Sequence, residues 1–268
     1  MIELAQWGGL ITGRTDPVDA RVIALPIKPS PRGGSGTFLA ADSDGVQWWV
    51  KPVNNAQGER VTVTEAIVAA AGRLIGAPVC ETTIVRLPEE MAGWEFRPER
   101  FIEPGYAHAS KSVVGVQEDR RLLFQDRDEN AARQAGTVAL HDWCWGGDNQ
   151  WLYSEPEDRR LYSHDHGWYL PEVGPTWSAT TLAVRVDEPH VPPWATDGLA
   201  PDELRRLAGS LRSLSRTSIA EALMVVPASW PVTNNELEAI GWFLERRAAA
   251  VSARLEEMAD RQTEGGAP

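Results

Sequence analysis

The sequence predicts an α+β fold of two unequal lobes, a small β-rich N-terminal lobe and a larger helical C-terminal lobe. Three observations carry this prediction. The 268 residues, 43% of them hydrophobic, suffice for one large domain or two modest lobes with a closed core. The chain changes character along its length: residues 21 to about 101 are short β-type runs punctuated by Gly and Pro, and from about residue 126 helical patterns dominate. No period of 20 to 50 residues repeats, which excludes solenoids and arrays. The division falls near residue 104, giving an N-terminal lobe over 1–104, a helical lobe over 105–260 and a polar tail over 261–268.

In chain order, RVIALPIKP (21–29), TFLAAD (37–42) and VQWWVK (46–51) read as three strands, the last two joined as a hairpin by the turn residues of SDG. Between the first and second lies SPRGGSG (30–36), whose glycines permit backbone angles and close approaches that side chains forbid. TVTEAIVAAAGRLIGAPV (62–79) is an amphipathic helix with Thr cap candidates that stops at Gly76 and Pro78. ETTIVRLP and WEFRPERFI (94–102) each read as a strand, the second leading into the Pro-Gly segment EPGYAHAS (103–110). NAARQAGTVALHDWCW (130–145) is a largely buried helix stopped by Gly146 and Gly147, and WLYS, EPEDRR and LYSHD form a hairpin ending at Asp165. Residues 172–197 read as an irregular excursion, and two helices, about 201–225 and 234–260, close the chain, the second capped by Thr233, Asn234 or Asn235.

Charge and cysteine usage narrow the function classes. Twenty-six Lys and Arg against 38 Asp and Glu give a formal net charge of -12, a field that repels phosphate backbones and anionic lipid, so neither nucleic acid nor membrane is an expected partner. No run approaches the roughly 20 apolar residues of a bilayer span. The opening MIELAQWGGLITGRTD lacks a secretion signal, and the expected location is the cytoplasm. Cys80 and Cys144 are too few for a disulfide framework, and with five scattered histidines they give no zinc spacing.

Taken singly, a Gly-rich turn, a Lys at a strand end and a helical Glu are ordinary surface features. Their order is not: strand, Gly loop, strand, strand ending in Lys51, then a helix carrying Glu65. That is the order of a kinase's nucleotide-binding lobe. A triphosphate is clamped by backbone amides, an ammonium and metal ions. The amides of Gly33, Gly34, Ser35 and Gly36 are placed to approach phosphate, Lys51 to hold it, and Glu65 to fix the lysine's flexible stem. Phosphoryl transfer also needs a carboxylate near the acceptor hydroxyl, an amide ligand for metal and a second carboxylate holding Mg2+. Asp148, then Asn149 or Gln150, then Asp165 after one hairpin occur in that order. His164 and His166 alternate with Asp165 and read as packing, and the clustered tryptophans 48, 49, 143, 145 and 151 read mainly as core.

Four blocks together resemble the HipA-like kinase family. They are WWVKPVNNAQGERVTVTEAIVAAAGRLIGAPV, EPGYAHAS, ALHDWCWGGDNQWLY with LYSHDHG, and ALMVVPASWPVTNNELEAIGWFLERR, and the likeness covers roughly residues 20 to 255. The resemblance implies a bilobal protein-kinase-like fold and an ATP- and Mg2+-dependent phosphotransferase acting on an unidentified protein or small-molecule hydroxyl. It implies Lys51 and Glu65 as the phosphate-anchoring pair, Asp148 as the base, Asn149 or Gln150 as the amide ligand and Asp165 as the principal metal ligand. One departure matters: the family's loop separates its Asp from its Asn and carries an Arg, whereas Asp148 and Asn149 are adjacent and the Arg is missing. Either Gln150 takes the amide role, or Asp142 substitutes for part of it, or the chain is a pseudokinase that binds nucleotide without transferring it. Nucleotidyl transfer to a protein is a further alternative. Side-chain alternation favours Gln150 over Asn149 as the partner of Asp148.

Overall fold

In a computed structural model, which describes residues 2–30, 34, 36–171 and 176–265, the first half of the chain builds a closed barrel. β1 (Arg21–Pro29), β2 (Phe38–Asp42) and β3 (Gln47–Lys51) form an antiparallel meander, followed by α1 (Arg60–Ile75) and β4 (Thr82–Leu87). β5 (Glu95–Arg97) and β6 (Arg100–Phe101) form a separate hairpin, and β7 (Gly105–Lys111) inserts between β3 and β4. The barrel order is β1-β2-β3-β7-β4, closed by a short parallel pairing of Arg21 and Val22 with Val85 and Arg86. Strand alternation sends Trp48, Val50, Ala107 and Ala109 into the barrel core with Phe38, Ile23 and Val85. The opposite face carries Trp49, Lys51, His108 and Ser110. Asp42 closes the β2–β3 hairpin from inside, accepting from the indole of Trp48 and the backbone N–H groups of Asp44 and Val46, each at 2.9 Å.

After the barrel come β8 (Val116–Asp119), α2 (Asn130–Trp143), β9 (Trp151–Ser154) and β10 (Arg160–Ser163), with the three strands in the order β10-β9-β8. α3 (Ala179–Arg185), α4 (Pro201–Ser213), α5 (Arg216–Leu223) and α6 (Asn234–Gly265) complete the helical lobe. Thr233 caps α6: its Oγ1 accepts from Glu236 N–H, and the Glu236 carboxylate takes the Thr233 N–H in return. No helix among the described residues is long and apolar enough to cross a membrane.

Several expectations need correction. Most of the segment 103–110 belongs to barrel strand β7, so the barrel sheet runs past residue 104 to Lys111; two alanines at alternate positions suit its inner face. Residues 94–102 are a hairpin because Pro98 supplies no N–H to a ladder and Glu99 turns the chain at φ 62°. The N-terminal segment packs on the helical lobe, where the Ile2 carbonyl accepts from the Trp242 indole at 3.0 Å and Trp7, fully buried, donates to Glu245 at 2.7 Å. The helix expected over 201–225 is two, because Ser215 makes a reciprocal cap with Ser218. Within 172–197 a short helix, α3, opens on Ser178 with a capping box to Thr181. The polar tail is helical as far as Gly265. α1 is buried nearly all round, because it lies between barrel and helical bundle; only an apolar helix can do so.

Candidate active site

The barrel face that carries Lys51 and the edge of the β8–β10 sheet enclose a cleft of about 690 Å3, within the usual range for small-molecule sites. Lys51 ends β3, and burial of α1 brings Glu65 beside it. The Lys51 ammonium donates to Oε1 of Glu65 and, at 2.6 Å, to Oδ1 of Asp165. Lys51 and Glu65 are 5% and 3% exposed, whereas the Asp165 side chain keeps a third of its surface open to the cleft. Glu65 is a two-sided strut: Oε2 accepts the His166 backbone N–H at 2.9 Å. Gly167 allows this closeness, since a Cβ there would lie 2.6 Å from Val61 and 3.4 Å from Glu65.

Asp165 follows β10 in a left-handed conformation, φ 56°. The end of β10 is tied to the link between α1 and β4 by Ser163 N–H to Pro78 O and Cys80 N–H to Ser163 O, at 2.7 and 3.0 Å. The sequence alone gives no sign of that tie. Asp148 reaches the cleft from the loop after α2. Gly146 in this loop bridges to Tyr169, and Gly147 packs so tightly that a Cβ would sit 2.1 Å from the Trp168 carbonyl oxygen. The two loops therefore run side by side, and Asp148 and Asp165 line one cleft.

Of the residues expected at the site, Lys51, Glu65, Asp148, Gln150, Asp165 and Gly34 line this cleft. Gln150 donates Nε2 to Asp148 Oδ2 at 2.5 Å, the same-side arrangement that alternation favours. Asn149 is not in the lining: its side chain donates to the Arg120 carbonyl at 3.0 Å. Asp142 is not at the site either. Its carboxylate is buried against Arg247 at 3.2 Å and Arg254 at 2.7 Å in the helical lobe, where it ties α2 to α6. Gly33 and Ser35 lie outside the described residues. Gly34 accepts from Arg97 through its carbonyl, and Gly36, at φ 79°, leaves no room for a Cβ because Phe96 would be 2.9 Å away. His108, Ser110, Lys111, Glu118 and Arg120 also line the cleft, and no motif in the sequence singles them out. His166 packs inside with Ser163 Oγ at 2.8 Å, but His164 lines the cleft. A hollow of about 730 Å3 at the barrel seam is larger, yet its ionisable groups are only Arg86 and Glu90 and none of the site residues lies on it.

Charge in the cleft follows from this packing. Burial, the largest influence on Lys51, pushes its ammonium down, but Asp165 and Glu65 together outweigh it and hold the group above the ordinary lysine value. The Lys51 charge, opposed by burial, holds the Asp165 carboxyl well below the usual carboxylate range. Burial, reinforced by Lys51, drives His108 down to about 3, and burial drives His166 down to about 4. The cleft thus presents an ammonium held between two carboxyl groups, with the neutral imidazole of His108 beside it: a cation for an anionic ligand with hard-oxygen donors next to it.

The five-stranded barrel, the strand-end lysine with its helical glutamate, and a loop aspartate after a hairpin define a kinase fold. A proinflammatory kinase, CtkA, from Helicobacter pylori superposes with a TM-score of 0.60 at 9% identity, covering 93% of this chain and 99% of that one. A Golgi casein kinase superposes at 0.50 with 12% identity over 97% of this chain and 77% of its own, and its form with Mn/ADP bound at 0.50 with 12% identity over 98% and 78%. No curated protein matches the sequence. The sequence pattern of the HipA-like kinases matches residues 23–157, half of the chain, and the protein belongs to that family.

Proposed function

We propose that this protein is an ATP- and Mg2+-dependent phosphotransferase that moves the γ-phosphoryl group of ATP to the hydroxyl of a protein or small molecule. The observation that carries the reading is the Lys51 ammonium held between Glu65 and Asp165 in a cleft that also presents Asp148 and Gln150. Lys51 grips the phosphates while Glu65 keeps it extended. Asp148 accepts the proton of the acceptor hydroxyl as that oxygen bonds to phosphorus and the bond from phosphorus to the leaving ADP oxygen breaks. Mg2+ binds through one or two carboxylates plus substrate phosphates rather than through an all-protein cage. The donor set fits that preference: among the described residues no three His, Cys, Asp or Glu side chains converge as a metal site, and Asp165 with the Gln150 amide oxygen supplies hard ligands at the cleft. A cation held there supplies charge neutralisation for the phosphates. The Golgi casein kinase form with Mn/ADP bound lends the reading support by analogy of fold.

Calorimetric titration with ATP, with and without Mg2+, and intact-mass analysis after incubation with ATP test this reading. Mg2+-dependent binding and ADP formation are expected in the wild type, with turnover lost in Lys51→Ala and Asp165→Asn. A wild type with no Mg2+-dependent nucleotide binding would sink it. One observation favours a second reading, a pseudokinase: Asn149 is turned away to the Arg120 carbonyl, which leaves Gln150 alone as amide ligand. That reading predicts nucleotide binding with no ADP formed and no added mass; addition of AMP instead of phosphate would point to nucleotidyl transfer.

A further inference from the structure

The loop that carries Asp148 spans only Cys144 to Gln150, and its second residue, Trp145, has φ 56°, a left-handed conformation that a bulky side chain rarely adopts. Such a turn persists only where its surroundings determine it. On one side it is fixed by the bridge from Gly146 to Tyr169 and by Leu170 N–H to Cys144 O at 3.0 Å. On the other side stands His190, from the segment after α3. Its ring lies between two parallel rings, His141 at 4.7 Å and 14° and Trp145 at 4.4 Å and 17°. Its Nε2 is 2.7 Å from the Gly146 carbonyl oxygen, and since a carbonyl only accepts, Nε2 carries the hydrogen and donates. Arg247, anchored on Asp142, places its guanidinium 4.9 Å over the Trp145 ring. Only glycine fits at position 146, because a Cβ would come within 2.3 Å of His141.

We propose that His190 is a positioning residue for the catalytic step. Its stack immobilises the strained Trp145 turn, and its hydrogen bond fixes Gly146, two residues before Asp148, against the loop that carries Asp165. His190 does not line the cleft and touches no reacting atom. The inference rests on the reading of Asp148 as the base. It predicts that losing the bond displaces Asp148 relative to the phosphoryl group while leaving Lys51 and Glu65, carried by β3 and α1, in place.

The test compares wild type, Asp148→Asn, His190→Ala, His190→Asn and His190→Gln by steady-state kinetics, by the calorimetric Kd for MgATP and by urea midpoint. The expected result is a kcat lower by about 10- to 100-fold in His190→Ala, the scale of a misplacement of about an ångström, with the Kd for MgATP unchanged. Gln, whose Nε2 reaches the same carbonyl, restores most of kcat; Asn, too short to reach it, does not. If His190→Ala fails to fold, the Asn and Gln pair decides. An unchanged kcat in the variants lacking the bond, or a loss of kcat and MgATP affinity together that Gln does not rescue, overturns the positioning role. A wild type without turnover, or an Asp148→Asn variant with full turnover, overturns the reading of Asp148 itself and the role of His190 with it.

Discussion

Lys51 carries one positive charge opposite two carboxylates, and that imbalance makes its removal costly in two ways. Deleting the ammonium leaves the Glu65 carboxyl group, 3% exposed, without its cation and with only the His166 N–H as a donor. Breaking one side of a buried ion pair costs about 3–5 kcal/mol, whereas replacing both partners by apolar groups is often close to neutral. Lys51→Met is therefore expected to lower the urea midpoint sharply and Lys51→Met/Glu65→Leu to recover much of it; a double variant no more stable than the single would refute this account. The pH dependence of the pair follows from Asp165, whose folded carboxyl sits below its unfolded value, chiefly because of the Lys51 charge. Its contribution is fully present above pH about 4 and is lost as pH falls below that. The difference in urea midpoint between wild type and Asp165→Asn should accordingly shrink below pH about 4 and stay constant from 5 to 8. At this scale the sequence was most legible where chain order encodes chemistry. Lys51, Glu65 and Asp165 are recognisable because strand, helix and hairpin lengths fix their separations. Asp142 was not, since only the distant Arg247 and Arg254 on α6 show that its carboxylate is occupied.

Elements are held in register by places where no side chain fits. A Cβ on Gly241 of α6 would lie 2.1 to 2.7 Å from three atoms of the Trp7 ring, so the helix offers a flat seat to the N-terminal segment. Gly241→Ala is expected to unseat Trp7, costing about 1–3 kcal/mol of overpacking. It should also open residues 2–20 to limited proteolysis while the barrel resists; an unchanged cleavage pattern would refute the seat. None of this is visible in the sequence, where Gly241 is a helix-interior glycine and Trp7 a lone aromatic near the start. The β2–β3 hairpin was legible because its turn chemistry is local, and α1 and α2 because Gly76 and the Gly146–Gly147 pair stop them. β7 was not, because a strand that pairs with β3 and β4 on either side is defined by partners more than fifty and about twenty residues away in sequence. The break between α4 and α5 lacks Gly and Pro and depends on one serine cap, a weaker signal than the apolar period running through it.

Across the whole molecule, three histidines are sealed in without charge. Burial takes His108 and His141 down to about 3 and His166 to about 4. Above pH about 7 these imidazoles are neutral in folded and unfolded chain alike; as pH falls below their unfolded value of about 6.5, only the unfolded chain takes up the protons. Stability should therefore decline from pH 7 to 5, by up to about 2 kcal/mol per imidazole at pH 5. Urea midpoints at constant ionic strength would read this out, and a flat profile over that window would refute it. The small lobe is bound to the large one at separate points, Val79 alongside Ser163 and Glu65 on the His166 backbone, with α1 packed against both. Lobes joined by an extensive apolar interface do not swing freely. The mouth is thus that of a vice held at one width, and a molecule that enters or leaves the cleft passes the side chains and turns at its rim instead of waiting on a hinge.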